Sequence, residues 1–94
     1  MLNFYLIADE QPFTGSLKQV VYAGGIEEEE FELAQRVGLI ETHADYYGKF
    51  RWSSKQVSNK LALLINCPFR SDSILNGLLA RAEATGVGLM AFGD

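Results

Sequence analysis

Hydrophobic and polar positions divide the chain into recognisable segments. Leu2-Asn3-Phe4-Tyr5-Leu6-Ile7-Ala8 is apolar on both alternating sets of positions apart from Asn3. That pattern predicts a strand in the middle of a sheet, covered on both faces. Asp9 to Ser16, with Pro12 and Gly15, reads as a loop. Leu17 to Ala23 reads as a weaker strand at a sheet edge, ended by Gly24-Gly25. A helix is expected from Glu27 to about Val37, with Gly38 as break or cap. The apolar spacing Leu33, Val37, Ile40, Ala44, Tyr47 carries past Gly38. Thr42-His43-Ala44-Asp45 has the form of a weak capping box, so a short further helix is expected there.

The strongest local signal comes next. Ser53-Ser54-Lys55-Gln56 fits a capping box, with Ser53 as N-cap and Gln56 reaching back to its N–H. Trp52 and Val57 occupy the two positions of a hydrophobic staple around that cap. The helix so started runs from Ser54 to about Asn66, burying Val57, Leu61, Leu64 and Ile65, and Pro68 stops it. A last helix begins near Ser71 to Ser73, with Ile74, Leu75, Leu78, Leu79 and Ala82 inward. Gly86 followed by Val87 marks its end, and Val87 to Phe92 reads as a second buried strand. The order is β-β-α-α-α-α-β. It specifies an α+β or α/β fold, a single domain over residues 1–94 with about three strands and three to four helices. The first and last segments are expected to be neighbours in the sheet.

Composition supports a folded chain: 48% of the residues are hydrophobic and 21% charged, enough apolar material for one core in 94 residues. The single cysteine, Cys67, excludes an internal disulfide. Leu2 to Ala8 has no basic residue before it and Asp9-Glu10 directly after it, unlike a signal peptide. No window reaches the roughly 18 apolar residues of a membrane span. The expected location is the cytoplasm.

Charge is unevenly placed. Residues 1–50 carry nine acids (Asp9, Glu10, Glu27 to Glu30, Glu32, Glu41, Asp45) against Lys18, Arg36 and Lys49. Residues 51–94 carry Asp72, Glu83 and Asp94 against Arg51, Lys55, Lys60, Arg70 and Arg81. With a net charge of −4 and a pI near 4.9, neither nucleic acid nor an anionic membrane is an expected partner.

No catalytic or cofactor motif stands out, and no cofactor or metal is expected. Gly24-Gly25-Ile26-Glu27 places glycines before a helix start, where phosphate is commonly held. Its spacing matches no nucleotide-binding fingerprint, and the glutamates of the first turn would repel an anion. His43 is the only histidine, which removes any multi-histidine metal site. Neighbours two apart on a helix point to different sides, so Glu41, His43 and Asp45 do not converge. Cys67 lies at a helix C-terminal end, where the dipole disfavours a thiolate. Glu27, Glu28, Glu29 and Glu30 form either a solvated helix start or a docking patch for a basic partner.

Tyr46, Tyr47, Phe50 and Trp52 are four of the chain's eleven aromatic residues, gathered around Arg51. Tyr47, Phe50 and Trp52 are expected as core and staple residues that organise the connection between the halves. As an exposed patch, Tyr46, Arg51, Trp52 and Lys55 are the candidate interaction residues, in a composition common at interface hot spots. The leading expectation is a non-enzymatic protein–protein interaction module. Small acidic inhibitors of basic enzymes, such as immunity proteins of bacterial toxins, resemble it in size and charge, though no motif carries the likeness. The alternatives are a small enzyme or ligand-binding domain using His43, Asp45, Arg51 or Cys67, and a homodimer formed through the edge strand or the oppositely charged halves.

Overall fold

The two most apolar segments of the chain lie side by side at the centre of one sheet. The structure, a computed structural model, describes residues 1–12, 20–66 and 73–93. Its elements are β1 (Leu2–Ile7), β2 (Val21–Ile26), α1 (Glu28–Arg36), β3 (Lys49–Trp52), α2 (Ser54–Asn66), α3 (Ile74–Thr85) and β4 (Gly88–Gly93). The sheet order is β2-β1-β4-β3, and each neighbouring pair is antiparallel. The fold is therefore mixed α+β, with the first and last strands adjacent as their apolar character predicts.

Strand alternation sorts the side chains of the sheet into two faces. Leu2, Phe4, Leu89, Ala91, Trp52 and Ile26 point to one face and are buried. They share a core with Phe31 and Ala34 of α1, Val57 of α2, and Leu75, Leu78, Leu79 and Ala82 of α3. The three helices among the described residues thus pack on the same side. Each large apolar side chain removed from water there contributes about 1.5–3 kcal/mol. Phe4 anchors the layer, with Trp52 at 5.7 Å and Phe50 at 6.3 Å between ring centroids. The opposite face holds Asn3, Tyr5 and Ile7 of β1, opposed by Phe92, Met90 and Gly88 of β4. The apolar run of β1 predicts cover on both faces: the helices cover the first, and on the second Ile7 and Met90 of β4 are buried while Tyr5 is half-buried. Tyr5 joins Tyr22 of β2 and Phe92 of β4 in an aromatic row on this second face, on which no helix packs among the described residues.

Local signals set the helix ends. Gln56 N–H donates to Ser53 Oγ at 3.2 Å and Ser53 N–H donates to Gln56 Oε1 at 2.8 Å, completing the capping box. Ser73 Oγ accepts from Asn76 N–H at 3.1 Å at the start of α3. Gly38 and Gly86 take positive φ of 82° and 73°. Beside them Leu39 N–H donates to Ala34 O, and Val87 N–H to Ala82 O, closing the last turns of α1 and α3.

Three expectations change. The second strand runs from Val21 to Ile26, so Gly24-Gly25 lies inside it rather than ending it. The proposed start of that strand, Leu17, lies outside the described residues, as do Cys67, Pro68 and Ser71. No helix forms over residues 42–47, and a fourth strand, β3, follows instead. Gly38 reverses the chain, after which helical spacing no longer describes a face; Val37 and Tyr47 are exposed and only Ile40 of the continued stripe is fully buried. Gln35 Nε2 donates to the carbonyls of Glu41 and Ala44, both at 3.0 Å, and Asp45 Oδ1 accepts from Tyr47 N–H. These bonds satisfy loop backbone that a helix would otherwise use. Ile74, expected to face inward, is exposed on the first turn of α3.

Candidate functional site

The aromatic stretch around Arg51 does not form one patch, because β3 sends alternate residues to opposite faces. Phe50 and Trp52 turn to the helix side, and Lys49 and Arg51 to the other. Trp52 is 2% exposed. Tyr46, 8% exposed, donates its hydroxyl to Ile26 O at 3.4 Å and stacks on Phe31 at 5.4 Å. Burial, with the charge of Glu27 beside it, pushes the Tyr46 phenol above its usual pKa. Trp52 takes the core and staple role that its spacing predicts rather than a surface contact. Tyr46 is a core residue too, which corrects its reading as a surface contact. Tyr47 is the exposed member of the pair, at 63%, with its hydroxyl on Glu28 Oε2 at 3.3 Å.

Arg51 has a structural tie. Its Nη2 donates to Ala8 O at 2.7 Å and Asp9 O at 3.2 Å, fastening β3 to the chain leaving β1. The Asp9 carboxylate accepts from Ser54 N–H at 2.7 Å and from Ser54 Oγ at 2.5 Å, at the N-terminus of α2. Those two bonds, helped by the Arg51 charge, hold its pKa below the usual aspartate value. Lys55 is exposed on the first turn of α2.

A different set of residues gathers on the helix-free face. Tyr22 and Tyr5 stack edge-on at 5.4 Å, and Tyr5 and Phe92 at 6.0 Å. Tyr22 is 52% exposed and donates its hydroxyl to Asn3 Oδ1 at 3.3 Å. Lys49 lies opposite Phe92, and Arg51 opposite Met90. The face therefore runs from aromatic on β2 and β1 to cationic on β3. A cavity of about 390 Å³ opens at the cationic end, lined by Lys49, Phe50, Arg51 and Met90. Tyr5 and Phe92 lie in segments whose apolar pattern predicts buried strands, and both are half-buried. The period of two separates them from Phe4 and Ala91, but only the tertiary structure shows that no helix packs on their face among the described residues.

A second cluster joins residues far apart in the sequence. Lys60 is buried, and its ammonium donates to Leu39 O at 2.7 Å and Glu41 Oε2 at 2.8 Å. It stands 4.4 Å from the Trp52 ring centroid, and the Trp52 indole N–H donates to Glu41 Oε1 at 3.0 Å. Burial acts to raise the Glu41 pKa. Hydrogen bonds from Lys60, its own backbone and Trp52 outweigh that and keep it below the usual glutamate value. A cavity of about 250 Å³ lies beside them, lined by Gly38, Glu41, Gln56, Asn59, Lys60 and Leu63. The Lys60 ammonium is taken up by a carbonyl, a carboxylate and an aromatic face, so it has little left to offer a ligand. We read this cluster as structural. Its one sequence cue was a lysine three residues after Val57 and four before Leu64, on the apolar stripe of α2.

The remaining candidates do not converge. His43 is exposed and makes no side-chain hydrogen bond among the described residues. Asp45 serves the turn at Tyr47, and neither cavity is lined by His43 or Asp45. Cys67 lies outside the described residues. Among the described residues no group of His, Cys, Asp and Glu is placed to hold a metal ion, and no helix is long and apolar enough to cross a membrane. Of the acidic run, Glu27, Glu28 and Glu29 are exposed, whereas Glu30 Oε2 accepts from Leu75 N–H at 2.7 Å at the start of α3. Gly24-Gly25 lies within β2 and forms no strand-to-helix loop. No protein-family model, no curated protein and no solved structure matches the chain.

Proposed function

We propose that the chain is a non-enzymatic protein-interaction module that binds through the helix-free face of its sheet. One observation carries this reading: Tyr22, Tyr5 and Phe92 form a continuous aromatic row leading to Lys49 and Arg51. Aromatic and arginine side chains supply large contact area at small entropic cost, which is why they dominate binding hot spots. The scatter of His43, Asp45 and Arg51 supports the non-enzymatic side of the reading, since acid–base chemistry needs its groups within hydrogen-bond reach of one another. Proteins retained from a lysate of its own cells by the wild-type chain are expected to be lost with Tyr22→Ser. Retention of the same proteins by that variant, with its fold intact by circular dichroism, overturns the proposal.

A second reading rests on the exposed carboxylates Glu27, Glu28, Glu29 and Glu32 along α1. They suit a basic partner, as an inhibitor of the immunity type would require. The two readings separate in the same experiment. Loss of the retained proteins with Glu29→Lys, and not with Tyr22→Ser, favours the acidic helix.

A further inference from the structure

We propose that the outer edge of β3 takes up an extended acidic segment of a partner protein as an additional strand. This rests on the reading of the sheet as the contact surface and names what is bound there. Among the described residues β3 pairs with β4 alone, so it is an edge strand. Gly93 N–H donates to Gly48 O at 2.8 Å, in register with the β3–β4 pairing. Antiparallel bonding repeats every second residue, so Phe50 and Trp52 direct their main-chain groups at β4. Lys49 and Arg51 then direct theirs outward. Nothing among the described residues bonds to those outward groups. The cavity of about 390 Å³ is lined by Lys49, Phe50 and Arg51, consecutive along β3, together with Met90 of β4.

Charge selects the occupant. Lys49 and Arg51 both present their side chains on the helix-free face, two positions apart. The competing occupant is a second copy paired across a twofold axis through this edge, for example centred on Phe50. It would set Lys49 directly against Arg51 of the other copy, twice, which is destabilising. The same cations that keep the edge from pairing with itself suit carboxylates at alternate positions of an incoming strand. Lys49 is exposed and makes no ion pair among the described residues. Arg51 bonds to Ala8 and Asp9 through Nη2 alone, which leaves Nε and Nη1 for a carboxylate. The nearest acid, Asp9, has its own carboxylate on Ser54.

The test uses fluorescence anisotropy with three labelled probes, each about eight units long, the length of a typical strand or slightly more. They are a peptide alternating valine and glutamate, its counterpart with lysine for glutamate, and single-stranded oligodeoxythymidine. The glutamate peptide is expected to bind, the lysine peptide to bind at least tenfold more weakly, and Lys49→Glu to weaken the glutamate peptide at least tenfold. Amide exchange at Lys49 and Arg51 is expected to slow when the glutamate peptide is bound. Absence of binding at millimolar peptide, equal binding of both peptides, or no effect of Lys49→Glu overturns the proposal. So does binding of the oligonucleotide alone, which would make the aromatic face a base-stacking platform. Should Tyr22→Ser abolish partner retention while the Lys49 and Arg51 amides stay unprotected in the complex, strand addition falls and the broader reading of the face stands.

Discussion

Lys60 shows how a single side chain acquires a meaning that its neighbours in sequence do not give. Its stem lies on the apolar stripe of α2, and its ammonium is held between Leu39 O, the Glu41 carboxylate and the Trp52 ring. Removing the carboxylate leaves that charge buried without a counter-charge and the indole N–H without an acceptor. Glu41→Ala is therefore expected to destabilise the fold by about 2 kcal/mol, less than the cost for a fully buried pair because Glu41 remains partly exposed. Urea unfolding measures the loss, and the emission of the only tryptophan reports the same change locally. Unchanged stability together with unchanged emission would show that the ion pair contributes nothing. The local signals around this residue were legible: Ser53, Gln56, Trp52 and Val57 do what their spacing predicts. Glu41 and Lys60 were not, because nothing in a window of a few residues connects positions 41 and 60.

At the level of elements, the acidic first half of the chain turns out to be partly a set of helix caps supplied from a distance. Asp9 closes the N-terminus of α2, and Glu30 closes that of α3, each 45 residues from its partner. Both complement the positive end of a helix dipole and satisfy an N–H that the helix itself leaves unpaired. Glu30→Ala is expected to cost about 1 kcal/mol and to speed amide exchange at Leu75, with Ser73 still holding the Asn76 N–H. Glu29→Ala, on the exposed side of α1, should stay within about 0.5 kcal/mol of the wild type. Equal thermal shifts for the two variants would mean that the Glu30 cap has no energetic role.

For the whole molecule, the same carboxylates set the response to acid. Asp9 and Glu41 both have folded-state pKa values below their usual ones. A carboxylate held down in this way stabilises the fold above its unfolded pKa of about 4, and that stabilisation is lost as pH falls through the folded value. Stability is thus expected to be insensitive to these groups from about pH 6 to 8 and to decline as the pH drops below about 4.5. In Glu41→Gln, denaturant midpoints measured across that range should fall less steeply; an identical slope would remove Glu41 from the account. The sequence by itself determined the start of α2 at its capping box, the ends of α1 and α3 at Gly38 and Gly86, the two central strands and the α+β character. Each of these follows from contacts or backbone preferences within a few residues. Only the tertiary structure decided that β3 exists, that Tyr46 faces inward while Lys49 and Arg51 face out, and that among the described residues one face of the sheet carries no helix. A strand of four residues acquires its identity from the partner it bonds to, and for β3 that partner is β4, about 40 residues along the chain.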